Sequence, residues 1–314
     1  ICCSCPENKD VRGSGMQKQN TVVQERKEAG RSRWEKTVKF FRVLFKRKLV
    51  LVSAIGLVLI VLMAIFAPFL APYDPNVQSL MDALKTPSSQ YLLGTDNFGR
   101  DVLSRIIYGA RVSLIVGVLA VGIACAIGTF FGMVAGFFGG IVDDVINRIS
   151  EAIRSIPQIV LAMALCAVFG GGIINLSIIL GISNMAVYIR MMRGQVLSIK
   201  ETDYVMAARL QGNKSMRLMF KHVLPNCISP IIVQMTLQVG QTILSEAGLS
   251  FLGLGISAPT ASWGSIVSDG RVYLLQNPFF SLAPGICIAL LVIFLNTVGD
   301  GVRDALDPRM RGRL

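Results

Sequence analysis

LVLVSAIGLVLIVLMAIFAPFLA, Leu49 to Ala71, carries no charged side chain. A bilayer core about 30 Å thick is crossed by roughly 20 apolar residues in a helix. The run is too long for a signal-peptide core and follows a long charged segment, so it reads as a membrane span. Working outward, further apolar runs cover Val112 to Phe138, Ile156 to Phe169, Ile173 to Ile189, Pro225 to Ser245 and Leu282 to Val298. Only Gly170 to Gly172 separates the third run from the fourth, which predicts a tight helical hairpin. The expected fold class is all-α: a polytopic membrane protein with six transmembrane helices.

Composition agrees. Of 314 residues, 53% are hydrophobic and 16% charged, whereas a soluble domain has about 25% charged residues. The net charge of +12 comes from Lys and Arg beside apolar runs, where they orient helices in a bilayer rather than engage nucleic acid. Cys125, Cys166, Cys227 and Cys287 lie in apolar surroundings and read as small hydrophobes. The cysteines lack zinc-site spacing, and a single histidine, His222, does not complete one, so no metal site is expected.

Basic residues also set the expected orientation. KFFRVLFKRK (Lys39 to Lys48) precedes the first span, RDALDPRMRGRL ends the chain, and Arg190, Arg193, Lys200, Arg209, Lys214, Arg217 and Lys221 lie between the fourth and fifth spans. All three segments belong on the cytoplasmic side by the positive-inside rule. The expected organisation is residues 1–15 as upstream or non-native sequence ahead of Met16, and 16–48 as a cytoplasmic segment. The first span (49–71) and an external loop (72–111) come next. A five-helix core (112–300) contains a cytoplasmic loop at 198–225, and 301–314 form a cytoplasmic tail. The stretch Gly139 to Arg154, with Asp143, Asp144, Arg148, Glu151 and Arg154, reads as a loop with little orienting signal.

Two spans carry a pattern. Ala120, Ala124, Gly128, Gly132 and Gly136 recur every four residues, giving a small-residue face for close helix packing against this chain or a second subunit. Gln234, Gln238, Gln241 and Ser245 share one face of the fifth span, with Thr242 beside them. Such a face must look toward protein or water; it either bonds another helix or lines a translocation path. Pro230 is expected to bend this span. AGLSFLGLG, after the span, is too short to cross and reads as re-entrant or interfacial. Trp263, Tyr273, Phe279 and Phe280 suit the outer membrane interface. Asp96 and Asp101 with Arg100 and Arg105 read as turn and interface residues; Asp300, Asp304 and Asp307 with Arg303 and Arg309 read as helix-end and salt-bridge residues.

The segment YVMAARLQGNKSMRLMFKHVLP, Tyr204 to Pro225, holds four basic side chains and no acid. It predicts two short helices, Tyr204 to Gln211 and Lys214 to His222. Gly212 is suited to a left-handed cap between them, and Pro225 opens the next span. Such a helix is either received by a groove in another protein or lies on the membrane surface.

This segment resembles the EAA loop of ABC-transporter permease subunits, whose pattern is E-A-A, three residues, G, nine residues, I-x-L-P. Ala207, Ala208, Gly212, Leu224 and Pro225 match, while Met206 and His222 replace the glutamate and isoleucine. LGTDNFGRDVLSRIIYGARVSL (Leu93 to Leu114), APYDP, LSFLGLG followed by SWG, and GDGVRDALDPR are similar to the peptide/nickel importer branch, and to its C-type permeases. The resemblance implies a type I importer architecture and transport of dipeptides, oligopeptides or nickel. It further implies a second similar permease, two cytoplasmic ATPase subunits that bind ATP and Mg, and an extracytoplasmic substrate-binding protein. Ala207, Ala208, Gly212, Leu224 and Pro225 would form the coupling fold, with Arg209, Lys214 and Arg217 at the contact. The chain has no G-x-x-x-x-G-K-[S/T] loop and no nucleophile–base arrangement, so it is read as neither an ATPase nor an enzyme of another kind. A secondary transporter would place ionisable residues in mid-span and a channel would show a selectivity element. Neither is visible, Glu246 being placed at a span end.

Overall fold

The computed structural model describes residues 44, 45 and 47–306. The expectations for residues 1–15, for most of 16–48, and for Asp307 and Arg309 lie outside these.

The first helix, α1 (Lys48–Ile65), is apolar on all sides and runs into a short turn of helix at Ala67–Leu70. An irregular cap, residues 71–101, follows. Asp96 organises it by accepting the backbone N–H groups of Phe98 (2.8 Å) and Arg100 (2.9 Å) and the Arg100 Nε–H (2.6 Å). The Asp101 carboxylate then accepts the Ser104 N–H at 2.8 Å and caps α2 (Val102–Phe138). Such a cap satisfies a donor left free at a helix start. The second helix therefore begins well ahead of Val112, because the cap side chain rather than the apolar run fixes its start.

Gly139 and Gly140 turn the chain into α3 (Gly140–Ser155), where a loop was expected. At Pro157 the chain bends by 89° into α4 (Gln158–Phe169). At about 1.5 Å per residue, α4 spans only about 18 Å, less than a bilayer core. The third expected span is thus one short helix set at a right angle to another. Among the described residues five helices are long and apolar enough to cross a membrane, or six if this bent pair is one crossing. Gly170 to Gly172 make the tight hairpin into α5 (Ile173–Lys200).

Next come α6 (Asp203–Leu210) and a turn of helix at Ser215–Arg217 that widens to π geometry over Leu218–Val223. This passes without interruption into α7 (Leu224–Phe251). The second short helix expected at Lys214 to His222 is therefore the lower part of the fifth span. Pro225 lacks the N–H that would bond the carbonyl four residues back, and the widened turns precede it. At its other end α7 runs past Ser245 to Phe251, so Glu246 lies within the helix and not at its end. A short α8 (Trp263–Gly270) precedes α9 (Phe279–Leu306).

The most extensive helix pair is α2 with α5, and the small-residue stripe explains it. A Cβ on Gly128 would meet the Met185 carbonyl oxygen at 2.6 Å, one on Gly132 the Ile189 carbonyl oxygen at 2.5 Å, and one on Gly136 the Val196 Cβ at 2.9 Å. Ala120 and Ala124 are fully buried on the same face. The stripe packs against this chain's own α5.

The helices leave two differently built ends. At one, the cap and α8 gather around Trp263 and Phe280, both wholly buried, and Gly171 packs on Gly255. The interface role expected for these two aromatics is not what the fold shows: both pack inward, while Phe279 is exposed. At the other end lie Gly136, the end of α5, α6, the start of α7, and both described chain ends. Arg47 pairs there with Asp304 at 2.8 Å.

Candidate functional site

The chemistry-bearing features fall on the second of these ends. The site is an elbow. Thr202 leads into α6, whose inner side presents Val205 and Ala208 to a core of Tyr188, Met192, Val196, Leu218, Met219 and Val223. Gly212 adopts φ +81°, a conformation that costs glycine little and most residues more. It reverses the chain so that Ser215 starts the helix leading into α7. Asn213 Nδ2 donates to the Ala208 carbonyl at 2.8 Å, satisfying an acceptor freed at the helix end. Sequence reasoning missed Asn213; an asparagine immediately after a cap glycine was the available signal.

The outer side of the elbow is apolar and uncovered. Leu210 is 89% exposed, and Tyr204, Met206, Met216 and Phe220 are exposed with it. Arg209, Lys214 and Arg217 stand among them, all exposed, with no ion pair among the described residues. Ala207 and Pro225 lie on this outer side; Ala208 is buried and Leu224 half-buried. Anchored residues on one face and large exposed hydrophobics on the other describe a rigid projection rather than a mobile loop.

The glutamine stripe of α7 is divided. Gln234 Nε2 donates to Gln238 Oε1 at 3.2 Å, and Gln238 Nε2 donates to Asn184 Oδ1 of α5 at 2.9 Å. Thr242 is buried and its hydroxyl donates to the Gln238 carbonyl at 2.8 Å. Ser245 likewise bonds the Gln241 carbonyl, at 2.9 Å, while the Gln241 side chain is exposed. Part of the stripe thus ties two helices together and part remains open. Below it a cavity of about 540 Å³ lies among Met191, Asn226, Pro230, Gln234, Leu237 and Arg303.

At the opposite end Asp96, Arg100 and Arg105 form a buried cluster. The Arg105 Nε lies 3.5 Å from Asp96 Oδ2, and Nη1 reaches the Pro75 carbonyl at 3.5 Å. The side chains expected to be turn and interface residues are therefore the interior of the cap. Among the described residues no group of His, Cys, Asp or Glu is placed to hold a metal ion.

A bundle of long apolar helices with a rigid, apolar-faced elbow at one end and an ordered cap at the other is the build of a membrane transport subunit. The sequence comparisons give the family. A family model described as binding-protein-dependent transport system inner membrane component matches residues 128–312. A second, for the N-terminal TM domain of oligopeptide transport permease C, matches residues 36–87. The chain belongs to this family of inner-membrane permease components. It is 43% identical to the dipeptide transport system permease protein DppC of Alkalihalophilus pseudofirmus over 86% of this chain and 89% of the relative. With the oligopeptide transport system permease protein OppC of Bacillus subtilis it shares 41% identity over 89% of this chain and 91% of the relative. The MetNI methionine ABC transporter, solved in an inward-facing conformation, has the same fold: TM-score 0.53 and 19% identity over 65% of this chain and 98% of that one.

Proposed function

We propose that this chain is a permease subunit of an ATP-driven, binding-protein-dependent importer of dipeptides or oligopeptides. It pairs with a second, similar permease to form the translocation path, two cytoplasmic ATPase subunits bind below the pair, one of them receiving this chain's elbow, and an extracytoplasmic binding protein delivers the cargo. The DppC and OppC relatives name peptides as cargo and neither names nickel, so peptides are the substrate proposed.

The observation that carries the mechanism is the elbow's exposed apolar face on an anchored helix, a shape that fits a groove in a partner protein. The EAA-like residues Ala207, Ala208, Gly212, Leu224 and Pro225 shape that elbow; Leu210, Tyr204 and Met206 fill the groove, and Arg209, Lys214 and Arg217 meet its rim. ATP and Mg belong to the partner subunits, and closure of those subunits moves the elbow as a rigid body. The elbow end is cytoplasmic, as the clustering there of Arg47, Lys48, Arg193, Lys200 and Lys221 supports, so both chain ends are cytoplasmic too. Gln241 and Gln234 face the path.

The test is a gentle-detergent pull-down of the chain from its native membrane, with the co-purifying chains identified and ATP hydrolysis assayed. A second permease and ATP-hydrolysing subunits are expected, the latter alone being released by Leu210→Ser. A chain that purifies by itself and transports in proteoliposomes without ATP overturns the proposal.

A further inference from the structure

Glu246 is the one acidic side chain inside α7, and it is wholly buried. Its carboxylate joins three elements. Oε1 accepts the hydroxyls of Ser250, one turn on at 2.8 Å, and of Ser262, the N-cap of α8, at 3.0 Å. Oε2 accepts the hydroxyl of Ser113 on α2 at 3.4 Å. The same hydroxyls are used again in the other sense. Ser113 Oγ accepts the Trp263 N–H at 3.2 Å, and Ser262 Oγ accepts the Ser265 N–H at 3.1 Å. Trp263 Nε1 then donates to the Ile106 carbonyl of α2 at 2.8 Å.

Glycines bring the backbones close enough for this. A Cβ on Gly264 would fall 2.5 Å from the Ala247 Cα, and one on Gly255 would overlap Ser250. The segment 252–264 is therefore clamped on the last turns of α7 through the Glu246 carboxylate, and on the upper part of α2 through that carboxylate and the two Trp263 N–H donors.

The other end of the same helix is the elbow. Ser215–Phe251 is a single uninterrupted helix of 37 residues, about 55 Å long at 1.5 Å per residue. The π turns at Leu218–Val223 and Pro230 lie within it, yet the helix stays continuous from the elbow to Glu246.

We propose that Glu246 is a positioning residue that pins the segment 252–264 and the upper part of α2 to α7, so that displacement of the elbow reaches the opposite, extracytoplasmic mouth as one rigid-body movement. This rests on the proposed function, which supplies the displacement at the elbow. A buried carboxylate stripped of its partners is costly, so the three serines hold the pin closed. The small contact patch and the continuous lever together make α7 the transmitting element of the subunit.

The experiment uses the transporter assembled from this chain and the chains that co-purify with it, reconstituted in proteoliposomes. Spin labels on Ser257→Cys and Leu119→Cys, both exposed, report the separation of the segment from α2 with and without trapped nucleotide. In the otherwise native chain a single distance unchanged between the two states is expected. Glu246→Ala is expected to broaden that distance and to lower uptake about tenfold or more while ATP hydrolysis continues. Glu246→Gln keeps an oxygen for Ser250 and Ser262 and is expected to recover most of the uptake. A distance that changes between states in the native chain, native uptake by Glu246→Ala, or no recovery by Glu246→Gln overturns the proposal.

Should Glu246→Ala fail to assemble, Ser113→Ala and Ser262→Ala, each removing one donor to Glu246 together with one acceptor of a backbone N–H, are expected to lower uptake severalfold with assembly intact; native uptake by both overturns the pin. The two readings separate cleanly. Absence of ATP-hydrolysing partners sinks the proposed function, whereas the distance in the purified native chain, narrow there and broadened by Glu246→Ala or by Ser113→Ala with Ser262→Ala, still reads the pin.

Discussion

Gly132→Ala tests the packing that sets the whole bundle. A methyl at Gly132 would lie 2.5 Å from the Ile189 carbonyl oxygen and 2.9 Å from the Met192 Cβ, all in the interior of the α2–α5 interface. Comfortable contacts between such atoms are about 3.5–4.0 Å, so the two helices must separate locally by about 1 Å. Overpacking of this kind costs about 1–3 kcal/mol. Replacing glycine by alanine in a helix also contributes about 1 kcal/mol of favourable propensity, which partly masks the clash.

Gly122, on the same helix, isolates the two effects, because a Cβ there meets nothing within 4 Å. Gly122→Ala therefore carries the propensity gain alone, and Gly132→Ala is expected to be about 1–3 kcal/mol less stable than it. Gly128→Ala meets the same partner helix, and one separation accommodates both methyls. The double variant is thus expected to lose less than the sum of the singles, as neighbouring sites do when they share one displacement. The assay is unfolding of the purified chain in mixed micelles by denaturing-detergent titration, followed by Trp263, which is buried at the opposite end of the bundle. Gly132→Ala as stable as Gly122→Ala would refute the close-packing argument.

Other expectations address the elbow, the stripe and a surface pair. Gly212→Val forces a branched residue into φ +81°, so uptake should fall while membrane insertion stays normal; substantial uptake at native expression speaks against the elbow's role. In the assembled transporter a cysteine at 241 should react with water-soluble thiol reagents, and one at 238, which replaces the bond to Asn184, should be slower; equal protection of both in every nucleotide state would leave helix packing as the stripe's only role. Arg193 forks onto Asp143 with two contacts of 2.6 Å. A double-mutant cycle on this half-exposed pair should give a coupling of about 1 kcal/mol or less, shrinking with salt, and a coupling indifferent to salt would contradict the ionic reading.

Much of the architecture is local in origin and so legible in the chain itself. The length and apolarity of Leu49 to Ala71 and its counterparts set the membrane-spanning helices, because a bilayer admits little other than hydrogen-bonded helices. Four-residue spacing alone placed Ala120 through Gly136 on one face, and the glycine between two short amphipathic stretches located the turn at Gly212. Where those signals depend on partners distant in sequence, the reading stopped short. Nothing local distinguishes Glu246 at a helix end from Glu246 inside one, since what keeps it there is Ser113 and Ser262, far away along the chain. Trp263 looks like an interface aromatic until Ile106 accepts its ring N–H.

The sequence by itself determined that this is a helical membrane protein, where most of its long apolar helices run, which faces are small or polar, and the family resemblance carried by the 204–225 segment. Only the tertiary structure decided that the small stripe closes on α5, that Gln238 of the glutamine stripe is spent on Asn184, that the elbow's second limb and the fifth span are one helix, and that a carboxylate joins three elements at its far end. The physical reason is range. Hydropathy, capping and glycine conformation act over a turn or two of chain, whereas a buried acid or tryptophan takes its role from whichever elements the packing brings within hydrogen-bonding distance.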